Sequence, residues 1–399
     1  MEGSEESVLN GALVQACLVA ALCIACVLPG PAKATAVEPA RDDEVVEILP
    51  PVSGGRAELR RLRRLQAANP KAVEPAVTLA RRYLDEARSQ GDPRYAGLAF
   101  AVLAAWPSSA TAPDDVLLLR ATLQQFVHDF EPAASNLERL LQRSPTNAQA
   151  WLTLATVRRV QGRYADSDRA CAGLLAIQTE PGRIYARACQ AENDSLRGEF
   201  QQARSSLMGL LAGSRLAASE RNWLLTTLAE SEARAGLPDR AEAAYRAAQA
   251  ASPDPYTALS YADFLLQEKR PAEALVQLNG QPRTDAVLLR LSIAGKQIDD
   301  PRARHDVAEL RQRMALARQR PEARTAHARE GAMFALWIDE SPRLALELAR
   351  ENVKRQREPL DVLVLAHAAA ATQDASALRE VASLAQAMGL RDKRVDALL

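Results

Sequence analysis

Two stripes of side chains in the middle of the chain could do chemistry. Tyr185, Trp223 and Tyr256 recur at intervals of 38 and 33 residues, and seven residues after each stands an acid, Glu192, Glu230 and Asp263. Seven residues are two helical turns, so each acid shares a helix face with its aromatic ring. Large rings anchor apolar side chains of a partner, and a row of carboxylates pairs with Lys or Arg. The stripes therefore suit recognition of an extended, partly basic segment. A second reading remains open: the rings pack between neighbouring helices and the acids form a solvated face. Arg159 and Arg234 stand close enough in sequence to offset part of the negative field.

Catalytic patterns are absent by comparison. The chain contains no G-x-S-x-G, no H-E-x-x-H and no phosphate-binding G-x-x-x-x-G-K-[ST]. Gly295-Lys296 lacks the upstream glycine and the following hydroxyl of a phosphate loop. His128, His305, His327 and His367 lie far apart, and none has a second His or Cys at i+3 or i+4, as a helical metal site requires. They are expected at surface or turn positions. No metal and no cofactor is expected. Cys23-Ile24-Ala25-Cys26 has redox or zinc spacing, but it lies inside an apolar run with no second pair. Cys171 and Cys189 each stand nine residues from Glu180 in the turn Glu180-Pro181-Gly182, a level match for two antiparallel helices. They are candidates for a disulfide if their helix faces also match, and are otherwise two thiols.

The elements that must position these residues are helices. From Arg56 onward apolar residues recur at helical spacing in stretches broken by Gly, Pro, Asp or Asn, and no alternating strand pattern appears. Aromatics make up 4% of the chain, too few for a sandwich or propeller. The 48% apolar fraction supports a large core. Fifty basic residues balance fifty acidic ones, which removes the usual signature of a nucleic-acid-binding domain. Six of the basic residues are Lys and the rest Arg.

A small residue recurs near the start of every second helix: Ala96, Ala133, Ser167, Ala203, Ala241, Ala274, Ala308, Ala345 and Ala377. The intervals are 37, 34, 36, 38, 33, 34, 37 and 32 residues. Turn glycines precede several of them, at Gly91, Gly162, Gly198 and Gly236, and Pro145, Pro181, Pro253 and Pro359 punctuate the units. The pattern resembles the tetratricopeptide repeat family. It is clearest in Asn222 to Pro255, with Leu225, Ala229, Gly236, Ala241, Tyr245, Ala248 and Pro253, and in Ala148 to Pro181, with Trp151, Leu154, Ala155, Gly162, Tyr164 and Leu174. The resemblance implies an all-α, right-handed superhelical solenoid of about nine antiparallel helix hairpins. It also implies that the first helix of each pair lines a concave groove, with Tyr185, Trp223 and Tyr256 at the second position of three such helices. Clear repeats span 114–281. The flanks, 56–107 and 284–399, keep the period without the signature residues and read as degenerate repeats or caps.

Residues 1–36 read as an export signal: Val8 to Leu28 is apolar apart from Asn10 and Gln15, and Pro29 and Pro31 precede small residues at Ala32, Ala34 and Ala36. The acidic Glu2, Glu5 and Glu6 at the start depart from that pattern and leave open an uncleaved membrane anchor. Residues 37–55, acidic and then rich in Pro and Gly, are a linker. Arg56, Arg60, Arg61, Arg63 and Arg64 share a helix with Leu59, Leu62 and Leu65, as an amphipathic capping helix with a solvated Arg face would.

The expectation is a non-enzymatic protein-interaction scaffold of the bacterial envelope, periplasmic or secreted. A protein or peptide segment would occupy the groove, with no nucleic acid as partner, and the membrane would be involved only if the N-terminus is uncleaved. Two alternatives stand. One is a membrane-anchored scaffold. The other is a metal or small-ligand carrier, or an enzyme, with its site in the degenerate repeats.

Overall fold

Helix punctuation explains most of the architecture. Pro93, Pro238, Pro255, Pro271, Pro342 and Pro359 each sit at the first turn of a helix, where a missing N–H costs nothing. Asn147, Thr179, Asp254, Thr284 and Asp374 cap helices with their side chains. The structure is a computed structural model that describes residues 55–107, 109–213, 215–318 and 328–399. The apolar segment 8–28 with its cleavage sites, the linker up to residue 54, and His327 lie outside the described residues.

The described residues form twenty helices and no strand. Helix α1 (Gly55–Ala68) comes first, and nine hairpins follow. They pair α2 (Val73–Gln90) with α3 (Pro93–Leu103), α4 (Asp114–Phe126) with α5 (Phe130–Arg143), and α6 (Ala148–Val160) with α7 (Tyr164–Ala176). Next come α8 (Glu180–Leu196) with α9 (Phe200–Gly213), α10 (Ala218–Arg234) with α11 (Pro238–Ala251), and α12 (Pro255–Gln267) with α13 (Pro271–Leu278). The last three are α14 (Asp285–Gln297) with α15 (Ala303–Arg318), α16 (Ala328–Trp337) with α17 (Pro342–Val353), and α18 (Pro359–Thr372) with α19 (Ala375–Met388). The short α20 (Lys393–Asp396) closes the series.

Each first helix packs on the first helix of the next hairpin, and the second helices of the first six hairpins and of the eighth wedge between their own partner and the following first helix. First helices thus form a continuous inner layer, the solenoid arrangement in which no hairpin buries its apolar face alone. The small residues near the start of the second helices are buried, from Ala96 through Ala274 and again at Ala345 and Ala377. Ala308 is the exception. It is exposed, and the close approach in that hairpin is made one turn earlier, where Ala303 meets Gly295. Helix α1 buries Leu62, while Arg63 donates to the Tyr83 hydroxyl at 2.6 Å and lies over its ring.

The solenoid returns on itself after six hairpins. Gly91, in the turn of the first hairpin, meets Thr284, which opens the seventh. The Arg357 amide, just before the ninth hairpin, donates to the Val160 carbonyl at the end of α6, at 2.7 Å. The Arg391 amide donates to the Leu196 carbonyl at the end of α8, at 2.8 Å. Lys393 lies against Gly236 beyond α10, and Arg394 donates to Gln267 at the end of α12, at 2.9 Å. Four basic residues therefore meet the C-terminal ends of four successive inner helices, where the helix dipole is negative.

This return accounts for the glycines at four of the hairpin turns. The turn residue is left-handed in every hairpin, and it is Gly at 91, 162, 198 and 236 and His128 in the second hairpin. The last four hairpins place Lys269, Asp299, Glu340 and Gln373 there. A Cβ at Gly198 would come within 2.9 Å of the Arg391 side chain, and one at Gly162 within 3.0 Å of Met388. Gly198→Ala should cost about 1–2 kcal/mol in left-handed strain alone and should speed hydrogen exchange at the Arg391 amide. Lys269→Gly relieves the same kind of strain and should raise stability by up to about 1 kcal/mol. Urea unfolding and amide exchange check both.

His367 departs from the surface placement expected of the histidines. It is half-buried on α18 against the Trp337 ring, with centroids 5.8 Å apart. Burial, and then the charge of Arg394, hold its imidazole below the usual histidine range. The folded state keeps this ring neutral where the unfolded chain, titrating near its ordinary value of about 6.5, takes up a proton. Stability should therefore fall as pH drops from 7 toward 5. His367→Gln should flatten that slope in urea midpoints measured at the two ends.

Candidate functional site

The two stripes come into register through the ends of their helices. Tyr185, Trp223 and Tyr256 each stand eleven residues before the last residue of α8, α10 and α12, and Glu192, Glu230 and Asp263 each stand four before it. Helices α8 and α10 begin earlier than the spacing suggested. Tyr185 and Trp223 are therefore at the sixth position, and only Tyr256 is at the second.

Trp223, Tyr256, Glu192, Glu230 and Asp263 line one chamber of about 590 Å³ on the inner face, whereas Tyr185 does not line it. The Tyr185 ring lies 5.9 Å from that of Trp223, and its hydroxyl donates to Glu220, which pushes it up to about 12. Tyr256 is 60% exposed while its hydroxyl turns in to donate to Glu230 at 2.7 Å. Ser260 donates to the same Glu230 oxygen at 2.8 Å. The Glu230 carboxylate pushes the Tyr256 hydroxyl well up. Burial in turn pushes the Glu230 carboxyl up, against the pull of Arg234.

The acids do not form a free negative row. Arg159 on α6 pairs with Glu192 at 2.9 Å, and Arg290 on α14 holds Asp263 through two bonds of 2.7 and 2.9 Å. Beyond them Arg329 on α16 bridges Glu358 and Asp361, both on or beside α18. Burial, with Glu358 alongside, pushes Asp361 up to about 6 in spite of Arg329. Each acid of the stripe therefore finds its partner on an adjacent inner helix. The null charge of the whole chain is reproduced locally, and a basic partner would have to compete with arginines already in place.

Several chamber residues were not singled out by sequence. Arg290, Arg329, Glu358 and Arg394 belong to the weakly patterned 284–399 stretch and arrive through the superhelical return. Tyr164 and Tyr245 were recognised only as repeat-signature residues. Gly at four of the first five turns, against Lys269, Asp299, Glu340 and Gln373 at the last four, is a partial signal for that return.

Cys189 also lines the chamber, and it is joined to Cys171 by a disulfide with Cα atoms 5.9 Å apart. The bridge staples α7 to α8 across a hairpin boundary. Nearby, the Asn193 amide donates to Ser167 at 3.0 Å and to Asp168 at 2.8 Å. Removing the bridge with Cys171→Ser/Cys189→Ser should lower stability by roughly 3 kcal/mol. Reductant should lower the urea midpoint of the wild type and leave that of the double variant unchanged.

Among the described residues no helix is long and apolar enough to cross a membrane. No group of three His, Cys, Asp or Glu residues is placed to hold a metal ion among them either. No protein-family model and no curated protein matches the chain. Solved structures do resemble it. A tetratricopeptide repeat protein from Parabacteroides merdae is 15% identical, with a TM-score of 0.48, over 60% of this chain and 91% of its own. PilF of Pseudomonas aeruginosa is 18% identical, with a TM-score of 0.37, over 54% of this chain and 96% of its own. The Cut9-Hcn1 hetero-tetramer is 16% identical, with a TM-score of 0.43, over 79% of this chain and 60% of the matched one. The all-α solenoid itself is established by the stacked hairpins described above.

Proposed function

We propose that this chain is a non-enzymatic protein-interaction scaffold that takes a short partner segment at the mouth of the inner chamber. Helical-repeat solenoids use their concave faces for binding. The observation that carries the reading is Tyr256, 60% exposed beside a chamber whose other wall includes Trp223. An exposed ring fixed by a hydroxyl–carboxylate bond is a pre-organised anchor, and such aromatics dominate binding energy. Tyr185, Glu192, Trp223, Glu230, Tyr256 and Asp263 remain the proposed binding residues. The aromatics supply contact area, and the acids, each already engaged within the chain, hold the surface in shape.

The return of the C-terminal hairpin across the ends of α6, α8, α10 and α12 shortens the groove. A segment of a few residues fits this surface better than a long extended one. The proposed location is an oxidising compartment outside the cytoplasm. The Cys171–Cys189 bridge and the signal-like residues 1–36 support it. Sequencing the N-terminus of the mature protein separates an exported form from an anchored one.

A photoreactive benzoylphenylalanine at position 256 should cross-link the partner in cells, and the same group at position 276, a valine 77% exposed on α13, should not. Tyr256→Ala should abolish capture while shifting stability by less than about 1 kcal/mol. Cross-linking from position 276 alone would sink the proposal.

A further inference from the structure

One charge in the chamber lacks the partner its neighbours have. Arg234 is 3% exposed, yet among the described residues it makes no ion pair. One of its terminal nitrogens donates to the Ser195 hydroxyl at 2.8 Å, and its Nε is buried with no acceptor. The nearby carboxylate, Glu230, has its bonds from Tyr256 and Ser260. Two more buried polar atoms on the chamber wall share this state: the Nη1 of Arg159, whose other terminal nitrogen is on Glu192, and the hydroxyl of Tyr164, itself 3% exposed. Both guanidiniums act on the Tyr164 hydroxyl, opposing the upward push of burial, with the carboxylates of Glu358 and Asp392 as weaker influences, so the groups share one neighbourhood.

A buried cation without a direct ion-pair partner is costly even with Glu230 nearby, and buried donors are nearly always satisfied by protein or water. Three such groups on one wall are therefore set out for an acceptor from outside the chain. Two guanidinium edges and a phenol offer donors only, or donors first, and that geometry matches an oxyanion. The rest of the lining includes Leu152, Leu196 and Trp223, and the volume of about 590 Å³ lies within the range of small-molecule sites.

We propose that the chamber binds a small organic anion, with its acidic head on Arg234, Arg159 and Tyr164 and its apolar body against Leu152, Leu196 and Trp223. This inference does not rest on the scaffold reading. Its test uses purified protein and no partner, so the two fail separately.

Tyr164→Phe is the decisive variant because it deletes only a hydroxyl that has no partner within the described residues. Calorimetric titration of the full chain compares phenylacetate and phenyl phosphate with the neutral 2-phenylethanol. At least one anion should bind ten-fold or more tighter than the alcohol. Tyr164→Phe should weaken that anion about five- to ten-fold while leaving the melting temperature of the free protein unchanged or raised. Arg234→Met should abolish the preference for the anion, and a circular dichroism spectrum verifies that this variant is folded. Equal binding of the anions and the alcohol, no binding of any, or wild-type anion affinity in Tyr164→Phe would each overturn the proposal.

Discussion

A helix ends in carbonyl groups that nothing within the helix can bond. Much of this architecture turns on how that demand is met at the ends of the inner helices. The carbonyls of Val160 and Leu196 accept amides from Arg357 and Arg391, contributed from far along the chain. Arg357, Arg391, Lys393 and Arg394 bring positive charge to the negative ends of α6, α8, α10 and α12. The C-terminal hairpin is thereby held across the inner face, and an open groove becomes a chamber. Glycines at the crossed turns give the approach its room, because the side chains of Met388 and Arg391 occupy the place a Cβ would take.

Stacking order is set by polar contacts as much as by apolar ones. Asp263–Arg290 links the sixth hairpin to the seventh with both groups nearly inaccessible. Such a pair contributes little net stability, but losing one partner costs about 3–5 kcal/mol. Asn222 does comparable work between the fifth and sixth hairpins. Its amide donates to the Ala248 and Ser252 carbonyls, and its oxygen accepts from Thr257. Exposed pairs such as Arg61–Glu58 contribute much less, because water screens them. The buried links penalise a shifted register, which apolar contacts alone tolerate. Arg234 stands outside this scheme, and that contrast marks the chamber as more than a packing feature.

The Cys171–Cys189 bridge lies between the third and fourth hairpins, beside the chamber. Its placement fixes the angle between α7 and α8 at the point where the inner layer begins to carry the aromatic stripe. Rigidity here pre-organises Glu192 and its pairing with Arg159, three residues beyond Cys189 on the same inner face.

The amino-acid sequence by itself determined the class of fold, the period and the count of hairpins. Helical spacing, small residues such as Ala133, Ser167 and Ala241, and turn prolines act within one or two repeats, so their meaning is local. It also placed Trp223 with Glu230, and Tyr256 with Asp263, on shared helix faces, because seven residues are two turns wherever the helix lies. The position of the close-approach residue in the seventh hairpin, Ala303 and not Ala308, was ambiguous because alanines occur on both faces of that helix. Only the tertiary structure decided that Glu192 and Asp263 of the stripe meet arginines while Glu230 meets Tyr256 and Ser260, that Arg329 and Arg394 reach the same chamber, and that Arg234 makes no ion pair. The pairings depend on how neighbouring hairpins face each other, and the arrival of Arg329 and Arg394 depends on a small rotation accumulated over many hairpins, which no single repeat encodes.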